Sequence, residues 1–183
     1  MIESYCIRIP ELLNLFKEKH DHFSFALFGA RGSFKTTHLY GLYEEMLDNN
    51  VDVVFGYEIE DICICDCLIL DDFASKFYKR EFSTTENKEF AKLLQEIRTN
   101  IPMVITSCPH YNLLDKDFRD FFNPAQILKP GYIKLDGKIL LADPPSEDLE
   151  NKMRALENTG RKHRFLDGLE RIKDARAKKK AKK

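Results

Sequence analysis

One stretch of the sequence, residues 23–47, constrains the fold more than any other. Its opening part, residues 23–28, is mostly apolar, as in a buried strand, and Gly29 interrupts the run. From Leu39 to Leu47, apolar side chains recur three or four positions apart, which is typical of one face of a helix. We therefore expect a strand, a tight turn and a helix in direct succession, which is a unit of α/β proteins.

The turn between this strand and this helix nearly spells the phosphate-binding loop G-x-x-x-x-G-K-[ST]. Gly29 and Gly32 let the backbone approach phosphate oxygens, and amides at the start of the helix donate hydrogen bonds to them. Lys35 is expected to reach the outer phosphates as a catalytic charge, and the Thr36 hydroxyl to bind Mg²⁺. The predicted nucleotide-binding residues are Gly29, Ala30, Arg31, Gly32, Ser33, Phe34, Lys35, Thr36 and Thr37.

The residue before the lysine departs from this pattern. Glycine is usual there, whereas this chain has Phe34, whose side chain is expected to strain the turn or to reposition Lys35. The alternative interpretation is an ordinary strand-to-helix turn that happens to contain a lysine. The flanking strand and helix favour the phosphate site.

A second apolar segment ends in two carboxylates. Residues 68–70 are Leu-Ile-Leu, and Asp71 and Asp72 follow them. Ligands of open α/β sheets bind at the carboxyl ends of the strands, so Asp71 is expected to hold Mg²⁺ there. Asp72 is then expected to orient or deprotonate the attacking water as a catalytic residue. An acidic turn after a core strand is the alternative interpretation.

Strands and helices alternate along much of the chain. Residues 51–55, 67–71 and 103–106 are predicted strands, and residues 131–142 are a predicted hairpin around the pair Asp-Gly at 136–137. The alternation predicts an α/β fold with helices on both faces of the sheet. Together with the phosphate-binding loop, it leads us to expect the three-layer P-loop NTPase type. Its sheet is expected to be mainly parallel and five-stranded, ending in the hairpin and a basic helical tail.

Charge divides the chain into two parts. Residues 1–150 contain 16 Lys and Arg against 26 Asp and Glu, a net charge of −10, whereas residues 151–183 contain 13 against 4, a net charge of +9. We expect an ATPase core over residues 1–145 and a basic helical extension over residues 146–183, partly disordered at its end. The basic tail is expected to contact nucleic acid or an acidic partner; a disordered solubilising end is the alternative.

The sequence predicts an intracellular, cytoplasmic protein with no membrane contact. Its first residues lack the layout of a secretory signal, and no apolar stretch approaches the length that spans a membrane. The cysteine spacing fits neither a disulfide framework nor a standard zinc site. Cys63, Cys65 and Cys67 are expected to be buried as small apolar side chains.

Two segments carry a family resemblance. Residues 65–73, Cys-Asp-Cys-Leu-Ile-Leu-Asp-Asp-Phe, resemble the second nucleotide motif of AAA+ ATPases, and residues 103–107, Met-Val-Ile-Thr-Ser, resemble their sensor-one strand. The similarity is greatest to the DnaA/DnaC/IstB group of replication initiators, helicase loaders and transposition ATPases. It covers residues 23–142 and implies ATP and Mg²⁺ as cofactors.

The resemblance also implies roles for residues beyond the loop. Ser107 or Thr106 would sense the γ-phosphate, although this chain has Cys108 where the group usually has Asn or Asp. Arg119 is the candidate for the arginine finger, which acts on the site of a neighbouring subunit. A surface salt bridge is the alternative for Arg119.

Three functions are compatible with these features. The leading one is a slow or partner-stimulated ATPase of DNA transactions, with DNA bound through the tail, a helicase or other replication or packaging component as protein partner, and a homo-oligomeric state. The second is a viral genome-packaging motor of the FtsK–HerA or terminase type, which has a similar loop and tolerates a sheet that continues into a hairpin. The third is a nucleotide-binding adaptor whose loop Phe34 has spoiled.

Overall fold

The chain divides into two compact units, Met1–Pro145 and Ser146–Lys183. The computed structural model describes most of the first unit and part of the second. The described residues are 6–30, 32–72, 85–159, 162, 166 and 170.

The first unit is an α/β structure built around one sheet. Its strands are β1 (Cys6–Ile7), β2 (Phe23–Phe28), β3 (Val53–Gly56), β4 (Cys67–Leu70), β5 (Met103–Cys108), β6 (Asn123–Lys129), β7 (Tyr132–Leu135) and β8 (Lys138–Leu141). Its helices are α1 (Ile9–Glu18), α2 (Lys35–Asp48), α3 (Thr85–Asn100) and α4 (Lys116–Phe121).

The sheet is mixed, with the strand order β1-β8-β7-β6-β2-β5-β4-β3 among the described residues. Neighbouring strands from β6 through β2, β5 and β4 to β3 pair in parallel. The hairpin of β7 and β8 adds antiparallel strands beyond β6, and β1 pairs in parallel with β8. The predicted hairpin is therefore present, and its turn residues Asp136 and Gly137 both have positive φ, as a two-residue hairpin turn requires.

The sequence predicts a five-stranded sheet ending in a hairpin, whereas the described sheet is mixed and has eight strands. Both β1 and β6 escaped the sequence analysis. β1 has only two residues, too few for a periodic pattern. β6 contains Pro124, which argues against an interior strand. In the structure Pro124 is in register with Ala26 of β2, and the pairing of β6 with β7 starts at Ala125. Pro124 is the second residue of β6, and proline is tolerated near the start of a strand.

Helices cover both faces of the central strands. Along β2, Phe25 and Leu27 belong to one apolar cluster and Ala26 to the other, as alternation in a strand requires. The first cluster includes the α1 and α2 residues Ile9, Leu13, Leu39, Leu42 and Met46. The second cluster includes the α3 and α4 residues Leu94, Ile97, Phe118 and Phe121. Apolar burial on both faces is therefore what holds the central strands between two helical layers.

The cysteine prediction is right for two residues and wrong for one. Cys65 and Cys67 are buried, but Cys63 is exposed, and only Cys67 lies within β4. Burial raises the pKa of the Cys65 thiol to about 12.

The second unit contains a helix over residues 147–159. Ion pairs four residues apart support it on its surface, Lys152 with Asp148 and Arg154 with Glu150. Residues 171–183, which carry the terminal lysines, lie outside the described part of the chain. Among the residues that the structure describes, no helix is both long and apolar enough to cross a membrane.

We predict that Gly41→Ala destabilises the first unit. Gly41 is buried in α2, and a Cβ there would collide with the backbone carbonyl oxygen of Asp143. The free energy of unfolding should fall by about 1–3 kcal/mol, as in other overpacked sites, although alanine is the better helix former. The measurement is denaturant unfolding. Asp48→Ala, at an exposed position of the same helix, is the control and should change stability by less than about 0.5 kcal/mol. A Gly41→Ala protein as stable as the original would contradict the close approach.

Candidate functional site

The loop between β2 and α2 is a tight curl. The amide of Ser33 donates to the carbonyl oxygen of Ala30 at 3.0 Å, and Gly32 has a φ of +83°. A Cβ on Gly29 would lie 2.6 Å from Ser33 Oγ, so only glycine fits there without a shift. Arg31, which the sequence also assigns to the loop, lies outside the described residues. The loop leads into the start of α2, where the first-turn amides have no carbonyl partner within the helix.

Phe34 provides the last turn before the helix. It is the N-cap residue of α2 and has φ +57° and ψ +34°, in the left-handed region. That region costs a residue with a Cβ about 1–2 kcal/mol, which explains why glycine is usual at this position. The expected strain is therefore present, and the chain accommodates it without losing the helix.

Lys35 folds back over the loop. Its Nζ donates to the carbonyl oxygens of Gly29 at 2.9 Å and Ala30 at 3.2 Å, and to Ser33 Oγ at 3.4 Å. The ammonium thus lies near a helix N-terminus, where the helix dipole already places positive charge, and the first turn of α2 has no acidic residue. The Lys35 charge and the positive end of the helix dipole repel each other, so together they favour an anion at the loop.

Asp71 joins the loop to two strands. Thr36 Oγ1 donates to Asp71 Oδ2 at 2.9 Å, and Ser107 Oγ donates to Asp71 Oδ1 at 2.7 Å. Asp71 is only 5% exposed. The parallel registers explain the meeting, because β4 and β5 end at the same edge of the sheet as β2. Residues that the sequence assigned separately to the loop, the acidic pair and the sensor strand thus form one hydrogen-bonded cluster, which we call the Asp71 cluster.

The backbone of Asp72 belongs to the same cluster. Its amide donates to Ser107 Oγ at 2.9 Å, and its φ of +51° is left-handed, which marks a second strained residue at this edge. Thr106 instead donates its hydroxyl to the Leu70 carbonyl oxygen at 2.8 Å, within the sheet. Of the two sensor candidates, Ser107 therefore contacts the acidic pair and Thr106 does not.

Cys108 ends β5 beside this cluster. Burial raises the pKa of its thiol to about 12; the nearby negative charge of Asp72 acts in the same direction, and the positive charge of Lys35 opposes it. The thiol therefore stays protonated at neutral pH, which makes it a weak hydrogen-bond donor and a poor nucleophile.

Arg119 is not brought to the Asp71 cluster. Among the described residues, no hydrogen bond or ion pair links its guanidinium to that cluster, and its Nε is buried without a partner. Its carbonyl oxygen accepts a hydrogen bond from the Tyr111 hydroxyl at 2.9 Å. The structure thus leaves Arg119 without a role within its own subunit's site, and the finger role stays a prediction.

The residues at the Asp71 cluster fit a Mg²⁺ ion that also binds phosphate. The described residues contain no group of three or more His, Cys, Asp or Glu that could form a cation site of their own. Mg²⁺ that is bound with a nucleotide needs fewer protein ligands, because phosphates and water supply most of its ligands. Within the described part of the chain, the buried Asp71 carboxylate forms no ion pair with Lys or Arg, and buried carboxylates are usually paired or bound to metal. Thr36 and Asp71 would hold the ion.

Sequence reasoning missed His38, a buried residue of α2. Its Nδ1 lies 2.7 Å from the Phe34 carbonyl oxygen, and the Gly131 amide donates to its Nε2 at 3.1 Å. Because Nε2 accepts, the ring proton is on Nδ1 and is donated to Phe34. The position four residues after the N-cap was the available signal, since a side chain there reaches the N-cap carbonyl.

We predict that Ser107→Ala destabilises the protein by about 1–3 kcal/mol. The substitution leaves one buried Asp71 oxygen and the part-buried Asp72 amide without their hydroxyl partner. Thr99→Ala is the control, because it removes an exposed hydroxyl that bonds only a carbonyl of its own helix. Equal stability of the two variants in denaturant unfolding would contradict the cluster.

Known proteins give no closer identification of this chain. No protein-family model matches its sequence, and no curated protein matches it. The resemblance to AAA+ ATPases therefore stays an expectation from the motif residues of the sequence.

Proposed function

We propose that this protein binds and hydrolyses ATP as a P-loop ATPase of the AAA+ type. The observation that carries the proposal is the hydrogen bond from Thr36 Oγ1 to Asp71 Oδ2, 2.9 Å long. It joins the loop that would hold the phosphates to the carboxylate that would hold the ion. An ordinary lysine-containing turn does not account for a buried acid at this place.

Each residue has a distinct task in this proposal. Lys35 neutralises charge on the outer phosphates, and the amides at the start of α2 bind phosphate oxygens. Mg²⁺, when bound through Thr36 and Asp71, supplies electrostatic stabilisation of the transferring phosphoryl group. Asp72 positions the attacking water, and Ser107 holds the two acidic residues in register.

The strand order supports the family part of the proposal. β5, the strand that resembles sensor one, lies between β2 and β4 and pairs in parallel with both. A mainly parallel P-loop sheet over β6, β2, β5, β4 and β3 is the interpretation that we favour. The activity would serve DNA transactions in the cytoplasm, as the resemblance implies, with homo-oligomers and a helicase-like partner.

One observation favours the packaging motor as a second candidate. The β7–β8 hairpin continues the same sheet beyond β6, the arrangement that such motors tolerate. DNA would then be the translocated substrate. The test is whether the protein alone, with ATP and no added helicase, displaces the third strand of a DNA triplex. Such displacement would favour the packaging motor over an ATPase that acts with a helicase partner.

We predict that Lys35→Ala lowers steady-state ATP hydrolysis by about 10²-fold or more, because the variant loses a charge that acts on the transition state. Lys92→Ala removes an exposed lysine paired with Glu89 and should leave the rate unchanged. The measurement is phosphate release with and without DNA. Full activity in Lys35→Ala would reject the site.

Asp72→Asn separates the ATPase from the adaptor. In an ATPase it should abolish most turnover while ATP still binds, because the carboxylate acts on water and not on the bound phosphates. If the unchanged protein binds ATP tightly and releases no phosphate, alone or with DNA, the adaptor is favoured.

We predict that the terminal lysines contribute to DNA binding. Replacing Lys178, Lys179, Lys180, Lys182 and Lys183 by glutamine should weaken DNA affinity and flatten its salt dependence, by about 0.9 in the logarithmic slope for each DNA phosphate that the tail no longer neutralises. Fluorescence anisotropy at several salt concentrations measures both quantities. An unchanged slope would assign the tail a solubilising role.

A further inference from the structure

A cavity of about 380 Å³ opens directly beside the loop. This volume lies in the range of about 300–1,000 Å³ that is usual for small-ligand sites. Phe34, Thr37 and His38 form one wall, and residues 130–131 and 142–144 form the other. The lining is mainly apolar, since it includes an aromatic ring, an alanine and two prolines. The cavity and the phosphate loop share Phe34, so one elongated ligand can occupy both.

His38 fixes the loop wall of the cavity relative to the turn at residues 130–131. Its ring donates to the Phe34 carbonyl oxygen and accepts from the Gly131 amide, so a single buried side chain spans the loop and the turn between β6 and β7. His38 is 5% exposed, which keeps water from competing for these bonds. The cavity is thereby formed before any ligand enters.

The segment at Asp143 is fixed independently. Its carbonyl oxygen packs so closely against Gly41 that a Cβ would not fit, and its carboxylate accepts a hydrogen bond from Arg8 at 2.5 Å. Arg8 also lies 3.5 Å from Glu45 on α2. The second wall is thus held by both backbone contact and charge.

Phe34 presents its ring at the mouth of this cavity. The side chain is 60% exposed although its backbone is held in a strained conformation. An aromatic ring in such a position offers a flat apolar face on which a planar ligand can stack. The residue that departs from the phosphate-loop pattern is therefore the residue best placed to contact a ring.

We propose that this cavity receives the nucleoside part of the bound triphosphate, with the base stacked on Phe34, and that it does not distinguish adenine from guanine. The inference rests on the proposed function, because the triphosphate in the loop supplies the occupant. The polar side chains of the lining already have partners. His38 uses both ring nitrogens, Thr37 is engaged as well, and the mostly exposed Asp143 carboxylate accepts from Arg8 through Oδ2. Stacking and apolar contact stabilise adenine and guanine alike, because every base has a π face.

The test compares ATP, GTP and inorganic tripolyphosphate as ligands by titration calorimetry. Tripolyphosphate reports the loop alone, and the nucleotides report the loop together with the cavity. In the unchanged protein, ATP and GTP should bind within about threefold of each other. Phe34→Gly should weaken both nucleotides by about tenfold, a loss within the range of one stacked base. Tripolyphosphate should bind Phe34→Gly as well as before or more tightly, because glycine adopts the loop conformation freely.

Control variants separate stacking from backbone effects. Phe34→Tyr should retain nucleotide affinity, since it keeps the ring. Asn50→Gly places glycine at another left-handed position, φ +54°, away from the cavity and should change no affinity. Equal changes for nucleotides and tripolyphosphate in Phe34→Gly would overturn the stacking role and leave the proposed function intact. A preference above tenfold between ATP and GTP would overturn the lack of discrimination. Absence of binding by all three ligands to the unchanged protein would overturn the proposed function itself.

Discussion

A buried carboxylate, Asp71, accepts hydrogen bonds from hydroxyls on two different elements, Thr36 at the start of α2 and Ser107 on β5. Removing a carboxylate from water is costly unless partners replace the lost hydration. The two hydroxyls replace part of it, and they do so only while α2, β4 and β5 keep their relative positions. The cluster therefore couples the geometry of the sheet edge to the chemistry proposed for it. The amide of Asp72 extends the same network through Ser107.

Two residues with a strained backbone lie at this edge. Phe34 and Asp72 both have left-handed φ without being glycine, and they flank the loop and the acidic pair. Residues hold such conformations only when the surrounding structure over-determines them, as hydrogen bonds from His38 and to Ser107 do here. Lys35 adds positive charge at a helix N-terminus, which is a further local cost that an anion would remove. The charge of Lys35 and the buried Asp71 carboxylate distinguish this edge, because left-handed residues also occur at the opposite edge, at His20 and Asn50.

Besides adding two strands to the sheet, the hairpin is connected to the loop before α2. The turn that leads into it from β6, at residues 130–131, donates a hydrogen bond to the imidazole of His38, so the outer part of the sheet is connected to the loop before α2 through one side chain. The same turn forms a wall of the cavity that begins at Phe34. Loop, hairpin and cavity thus form one continuous surface, and a ligand that spans it would contact residues from both the central strands and the hairpin.

Local pattern determined the loop, the acidic strand end and the hairpin, because each depends on residues within a few positions: Gly29 at the break, Asp71 after an apolar run, and an Asp-Gly turn. The number of strands was not determined, since β1 is too short for a period and Pro124 conceals β6. Tertiary structure alone decided that β5 lies between β2 and β4. It also decided that the Thr36 hydroxyl and the Asp71 carboxylate, 35 positions apart, form a hydrogen bond. It likewise decided which sensor candidate faces the acids and that a cavity adjoins the loop. The physical reason is that strand order arises from the packing of whole faces, and no short window of sequence encodes it.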